Sequence, residues 1–221
     1  MIEFKGLTKT FGKIVALQDV TFKVDDGEFI FIVGPSGAGK TTLLKLLTRE
    51  YKPTRGEILM DDVDIVKLKK KDIPLLRQKI GVVFQDFKLL PERTLRENIE
   101  IALAIKGVDK GQWIARVDQV LKLVGLSDRS DLFPAQLSGG EIQKASIARA
   151  LVINPVCIFA DEPTGNLDWG TADLIMDLLT KINKEGKTII VTSHNKELVE
   201  KFGKRVIEMK NGKVIKDRNT K

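Results

Sequence analysis

Gly34-Pro35-Ser36-Gly37-Ala38-Gly39-Lys40-Thr41 fills every fixed position of the pattern G-x-x-x-x-G-K-[ST]. In that pattern a glycine-rich backbone surrounds phosphate oxygens, the lysine reaches the terminal phosphates and the hydroxyl meets Mg²⁺. At average residue frequencies it arises by chance in about one chain of this length in a hundred. The flanks narrow it further. Phe29-Ile30-Phe31-Ile32-Val33, just upstream, is a continuous apolar run, as expected for a strand buried on both faces. Leu43-Leu44-Lys45-Leu46-Leu47, just downstream, begins a helical pattern. Strand, glycine loop and helix follow in the order a phosphate loop requires, and the helix N-terminus adds favourable partial charge. The candidate phosphate-binding residues are therefore Gly34, Pro35, Ser36, Gly37, Ala38, Gly39, Lys40, Thr41 and Thr42, with Lys40 aimed at the β- and γ-phosphates and Thr41 at the metal.

Working outward, residues 2–33 read as β structure, with a turn at Asp26-Gly27. Ile80 to Phe84 forms a short apolar strand. Residues 87–155 change to helical spacing, clearest over Thr94 to Ile105 and Gln112 to Val124. Strand patterns return at Val156 to Ala160 and Thr188 to Thr192. The end reads as a hairpin turning at Asn211-Gly212. The expectation is one α/β domain over 1–221, with a core built from 1–86 and 156–221 and a helical subdomain over 87–155.

Composition is compatible with that core: 43% of the 221 residues are apolar and 30% charged. The net charge of +7 favours anionic partners without choosing among nucleotides, nucleic acid and acidic lipid. The single cysteine, Cys157, lies in an apolar run and reads as core packing in a reducing compartment. No stretch approaches the roughly 18 apolar residues of a membrane span, so any action at a membrane needs another chain to cross it.

Two further motifs bear chemistry. The strand Val156 to Ala160 runs into Asp161-Glu162. Behind a phosphate loop, the first acid holds Mg²⁺ and the second can orient an attacking water or take its proton. Leu137-Ser138-Gly139-Gly140-Glu141 opens the helical pattern Ile142 to Val152. Ser138 and Glu141 have capping-box spacing. That reading does not explain two consecutive glycines, which bare N–H groups at a helix N-terminus and make a second anion site.

With these residues in place the chain resembles the ATP-binding cassette family over essentially its whole length. The signature of that family is L-S-G-G-Q. The resemblance implies a P-loop NTPase fold with a RecA-like core, an antiparallel β subdomain and an inserted helical subdomain. It implies ATP and Mg²⁺ as ligands, ATP hydrolysis as activity, and a head-to-tail dimer of two copies. In that dimer Ser138, Gly139, Gly140 and Glu141 of one copy close on the ATP of the other. Gln85 matches the Q-loop, with catalytic and metal-contacting roles. Gly165-Asn166-Leu167-Asp168 matches the D-loop, His194 the switch histidine, and Phe11 the aromatic that stacks on adenine. The catalytic set implied is Lys40, Gln85, Glu162 and His194; the metal set is Thr41, Gln85 and Asp161. Phe11 alone also reads as a core aromatic. Glu141 stands where the family usually has Gln, and Lys144 where Arg is common.

Asp161 to Asp168 is similar to a branch of lipoprotein-release, macrolide-export and cell-division ATPases. Arg49-Glu50, Lys52-Pro53-Thr54, Ile73-Pro74-Leu75-Leu76-Arg77 and Phe133-Pro134-Ala135-Gln136 favour the cell-division (FtsE) family. That similarity implies an FtsX-like membrane partner, coupling to cell-wall hydrolases, and a peripheral position on the cytoplasmic face of the membrane. A lipoprotein-release or macrolide-export subunit is the alternative, and a soluble cassette on nucleic acid ranks lower; no nucleic acid is expected. Membrane chains of this family dock a short helix beside the Q-loop. Phe87-Lys88-Leu89-Leu90-Pro91 follows Gln85, so at least one of Leu89 and Leu90 is expected to face that groove, the other reading being that both fill the core.

Overall fold

The computed structural model describes residues 1–219. The chain begins β1 (Ile2–Phe11), β2 (Ile14–Val24), β3 (Phe29–Val33), α1 (Lys40–Leu47), β4 (Arg55–Met60), β5 (Val63–Asp64), α2 (Ile73–Gln78) and β6 (Ile80–Val83). Three helices follow: α3 (Leu95–Lys106), α4 (Trp113–Val124) and α5 (Gly139–Leu151). The remainder is β7 (Cys157–Asp161), α6 (Trp169–Lys184), β8 (Thr188–Ser193), α7 (Lys196–Phe202), β9 (Arg205–Lys210) and β10 (Lys213–Asn219).

Two sheets result. An antiparallel sheet has the order β2-β1-β4-β5, and a six-stranded sheet the order β10-β9-β3-β8-β7-β6. In the latter every pairing is parallel except β9 with β10. Side-chain alternation along its central strands explains their unbroken apolar runs. Phe29, Phe31, Ile158, Ala160, Ile189 and Val191 belong to one buried cluster with α3 to α7. Ile30, Ile32, Cys157, Phe159 and Ile190 belong to a second, with α1 and the antiparallel sheet. The helices over 95–151 thus share a continuous core with the central sheet. Both faces are covered, and Cys157 is buried there, its thiol pushed up to about 12 by desolvation, so it packs rather than reacts.

Several boundaries differ from the sequence expectation by a residue or more, and three of them bear on the site. Helix α1 starts at Lys40 rather than Leu43, because Lys40-Thr41-Thr42 form its first turn, a polar stretch apolar periodicity cannot register. Strand β7 starts at Cys157, not Val156, whose N–H donates to Lys79 O and whose side chain is exposed; the strand therefore includes Asp161. Helix α5 begins at Gly139 rather than Ile142, with Ser138 as its cap. Among the described residues no helix is long and apolar enough to cross a membrane.

Candidate functional site

Ligands of open α/β sheets bind beyond the carboxyl ends of parallel strands. Here β3, β7 and β8 are neighbours, and their carboxyl ends lead into the glycine loop, Asp161-Glu162 and His194 respectively. A cavity of about 520 Å³ lies there, lined by residues 35–42 together with Ala16, Gln85, Glu162 and His194. That volume suits a small-molecule ligand. Gly34 and Gly39 are required sterically. A Cβ on Gly34 would lie 2.3 Å from Met209 O, and one on Gly39 (φ +103°) 2.8 Å from Ala16 O.

Lys40 is buried and turned back on its own loop. Its Nζ donates to Gly34 O (2.7 Å) and Pro35 O (3.3 Å) and pairs with Glu162 Oε1 at 3.2 Å. The other Glu162 oxygen lies 2.7 Å from His194 Nδ1. Glu162 thus sits between two nitrogen groups at the mouth of the phosphate loop. A bound phosphate can take over Lys40 and leave the carboxylate facing a water, the geometry a general base needs.

Asp161 is held from two sides. Thr41 Oγ1 donates to its Oδ2 (2.9 Å) and Thr192 Oγ1 to its Oδ1 (2.6 Å). Asp161 does not line the 520 Å³ cavity; it lines an adjoining one together with Thr41 and Gln85, so three oxygen-bearing side chains border that space. That set fits Mg²⁺, which takes few protein ligands and completes its shell with phosphate and water. Among the described residues no cluster of three or more His, Cys, Asp or Glu forms an all-protein metal cage.

The other predicted residues lie elsewhere. Ser138, Gly139, Gly140 and Glu141 do not line this cavity. They form a separate helix start with a complete capping box: Glu141 N–H donates to Ser138 Oγ, and Ser138 N–H to Glu141 Oε2 (2.8 Å). The Ser138 N–H and hydroxyl, both donating to Oε2 at 2.8 Å, and then Arg129, 3.4 Å away, hold the Glu141 carboxyl below its ordinary range. Phe11 also stands off the cavity, at the end of β1. Its half-exposed ring meets Tyr51 edge-on at 5.2 Å, with the Lys9 ammonium 4.7 Å from its centre. Asn166 of the D-loop stretch donates to Gln85 O (3.1 Å), tying that loop to the cavity wall.

Several contributors escaped the sequence reading. Ala16 lines the cavity, Thr192 grips Asp161, and the buried Gln143 donates to Pro163 O (2.7 Å) just after Glu162. Arg149, buried enough to lower its pKa, donates from Nη2 to Phe87 O (2.9 Å) and from Nη1 to Lys88 O. It thereby holds two consecutive left-handed residues, Phe87 (φ +60°) and Lys88 (φ +54°). Ser146, one turn earlier on α5, also donates to Phe87 O (3.3 Å), and polar residues set among the buried alanines, isoleucine and leucine of that helix were the available signal. Beyond this turn Leu89 is partly buried against the core, whereas Leu90 is 44% exposed and lines a second groove with Phe84, Ile101, Ile105 and Arg77.

Comparison with known proteins agrees with this geometry. Residues 17–165 match the family model described as ABC transporter. The cell division ATP-binding protein FtsE of Bacillus subtilis (strain 168) is 47% identical over 218 residues, covering 98% of this chain and 96% of that protein. The methionine import ATP-binding protein MetN of Halalkalibacterium halodurans is 42% identical over 98% of this chain and 66% of its own length. A dimeric structure of the ATP-binding cassette MJ0796, described as a post-hydrolysis state bound to ADP and Pi, superimposes with a TM-score of 0.89. It is 38% identical and covers 100% of this chain and 99% of that one.

Proposed function

The chain belongs to the ABC transporter family and is an ATPase, and we propose that it is the motor subunit of an FtsE-like membrane complex. Two copies close on ATP, and the resulting movement passes through an FtsX-like membrane chain to cell-wall hydrolases at division.

In this reading Lys40 and the N–H groups of residues 35–42 bind the phosphates, and Phe11 stacks on adenine. Thr41, Asp161 and Gln85 hold Mg²⁺. When bound, the metal neutralises phosphate charge and orients the terminal phosphoryl group. Glu162 positions the attacking water, and His194, 2.7 Å from Glu162, orients that carboxylate. The partner copy supplies Ser138, Gly139 and Gly140 to the γ-phosphate. The dimeric cassette MJ0796 supports that assembly.

The observation behind membrane coupling is the groove beside the Gln85 loop. Leu90 lines it, with Phe84, Ile101 and Ile105, while the neighbouring Leu89 packs, partly buried, against the core. An amphipathic partner helix is the occupant that fits an apolar floor with an Arg77 rim. The 47% identity to FtsE points to the cell-division type of partner. Leu90→Asp should release the protein from membranes carrying its partner, with affinity at least about 10-fold lower, because an apolar contact is lost and a carboxylate must be desolvated in its place. Basal ATP hydrolysis in solution should be unchanged. Full membrane retention would reject this docking site. The identity of the membrane chain that co-purifies separates the division role from that of a transporter subunit, to which the similarity to MetN points.

A further inference from the structure

Thr192 lies in the middle of the molecule, fully buried at position five of β8, directly opposite Asp161 in the parallel β7–β8 pairing. Its hydroxyl makes two bonds. It lies 2.6 Å from Asp161 Oδ1 and 2.9 Å from the backbone nitrogen of Glu162. The direction of each bond is set by chemistry. A hydroxyl has one proton, an ionised carboxylate only accepts, and a backbone N–H only donates. The proton therefore goes to Asp161, and the oxygen lone pair receives Glu162 N–H.

Each bond has a consequence for the site. With Oδ1 occupied, Asp161 presents Oδ2 to Thr41 Oγ1, the place where the cation is expected. Glu162 has φ +51°, in the left-handed region that glutamate seldom enters. Its N–H is shared between Thr192 Oγ1 and Thr192 O (3.2 Å), and this backbone turn sends the side chain toward Lys40 and His194. A valine at 192 would keep the shape and the strand preference but supply neither bond.

We propose that Thr192 is a positioning residue for hydrolysis, one buried hydroxyl that sets both the metal-facing oxygen of Asp161 and the backbone from which Glu162 reaches its water. The proposal rests on the assignment of Asp161 to Mg²⁺ and Glu162 to water made above. Outer-layer hydrogen-bond partners of metal ligands typically change metal affinity or activity by about 10- to 100-fold.

The test compares Thr192→Val, Thr192→Ser and Thr192→Cys in the full chain. Binding of a fluorescent ATP analogue is titrated with Mg²⁺, kcat is measured at saturating Mg²⁺, and thermal unfolding is followed without nucleotide. Thr192→Ser should stay within about 3-fold of the parent, since the hydroxyl remains. Thr192→Val should need about 10- to 100-fold more Mg²⁺ for half-saturation and lose kcat by a similar factor. Thr192→Cys, a weak donor of similar shape, should fall between them. A Thr192→Val chain with parental Mg²⁺ dependence and kcat overturns the proposal. So does a Thr192→Ser chain as impaired as Thr192→Val, which would make shape the cause. If Thr192→Val does not fold, the Ser and Cys variants decide, and equal Mg²⁺ dependence in those two overturns it. Asp161→Asn separates the two levels. If it leaves Mg²⁺ dependence unchanged, the metal assignment fails; if it removes that dependence while Thr192→Val behaves as the parent, only the Thr192 proposal fails.

Discussion

Glu162→Gln is expected to lower ATP turnover by about 10²–10⁴-fold, the usual contribution of a positioned general base, while ATP binding is retained or tightened. The two halves of that expectation have different origins in the site. The carboxylate lies 3.2 Å from Lys40 Nζ and 2.7 Å from His194 Nδ1. It therefore competes with phosphate for the lysine. A neutral amide of the same shape relieves that competition, so affinity does not fall. The amide cannot take a proton from water, so hydrolysis does. Steady-state turnover and equilibrium binding of a fluorescent ATP analogue check the two halves separately. Turnover within a few-fold of the parent would remove Glu162 from the reaction.

Gly139→Asp is expected to reduce turnover by about 10²–10³-fold for a different reason, and its design depends on the local structure. A Cβ on Gly139 meets only a Leu167 methyl at 3.4 Å, an ordinary contact, whereas one on Gly140 would lie 2.5 Å from Thr171 Cγ2. Gly139 is also the first residue of α5, where an acidic side chain suits the helix dipole. The variant should therefore fold at least as well as the parent. What it should lose is closure on the partner's γ-phosphate. Two like charges about 4 Å apart repel by about 4 kcal/mol at an effective dielectric constant near 20, enough for roughly a thousandfold change. ATP binding to the single chain should be unaffected, because residues 35–42, Gln85, Glu162 and His194 line the cavity without Gly139. Reduced single-chain binding would point to misfolding, and undiminished turnover would remove the signature from catalysis.

Much of this site is legible in the sequence because its chemistry tolerates few substitutes. The Gly34–Thr41 loop, the Asp161-Glu162 pair at a strand end and the Ser138/Glu141 cap each have spacing dictated by backbone geometry. The apolar run Phe29–Val33 also declared a strand covered on both faces, and Val156–Ala160 a strand, which the structure starts one residue later. What stayed hidden depends on long-range register. Thr192 reads as one more β-branched residue in a strand until the β7–β8 pairing sets it against Asp161. Arg149 meets the carbonyls of Phe87 and Lys88 across 62 and 61 residues of chain. Leu89 and Leu90 were indistinguishable by spacing. The left-handed pair Phe87-Lys88 turns the backbone just before them, and periodicity does not survive such a turn. Phe11 remains an expectation, since its ring stands with Tyr51 rather than on the cavity wall.

The central claim is that ATP is held between two copies, the phosphate loop of one facing the signature of the other. Light scattering on Glu162→Gln, with ATP, with ADP and without nucleotide, tests it most directly. The molar mass should double with ATP and stay at the single-chain value with ADP or no nucleotide, and adding Gly139→Asp to the same chain should abolish the doubling. A chain saturated with ATP that keeps its single-chain mass, or a double variant that still doubles, would contradict the shared site.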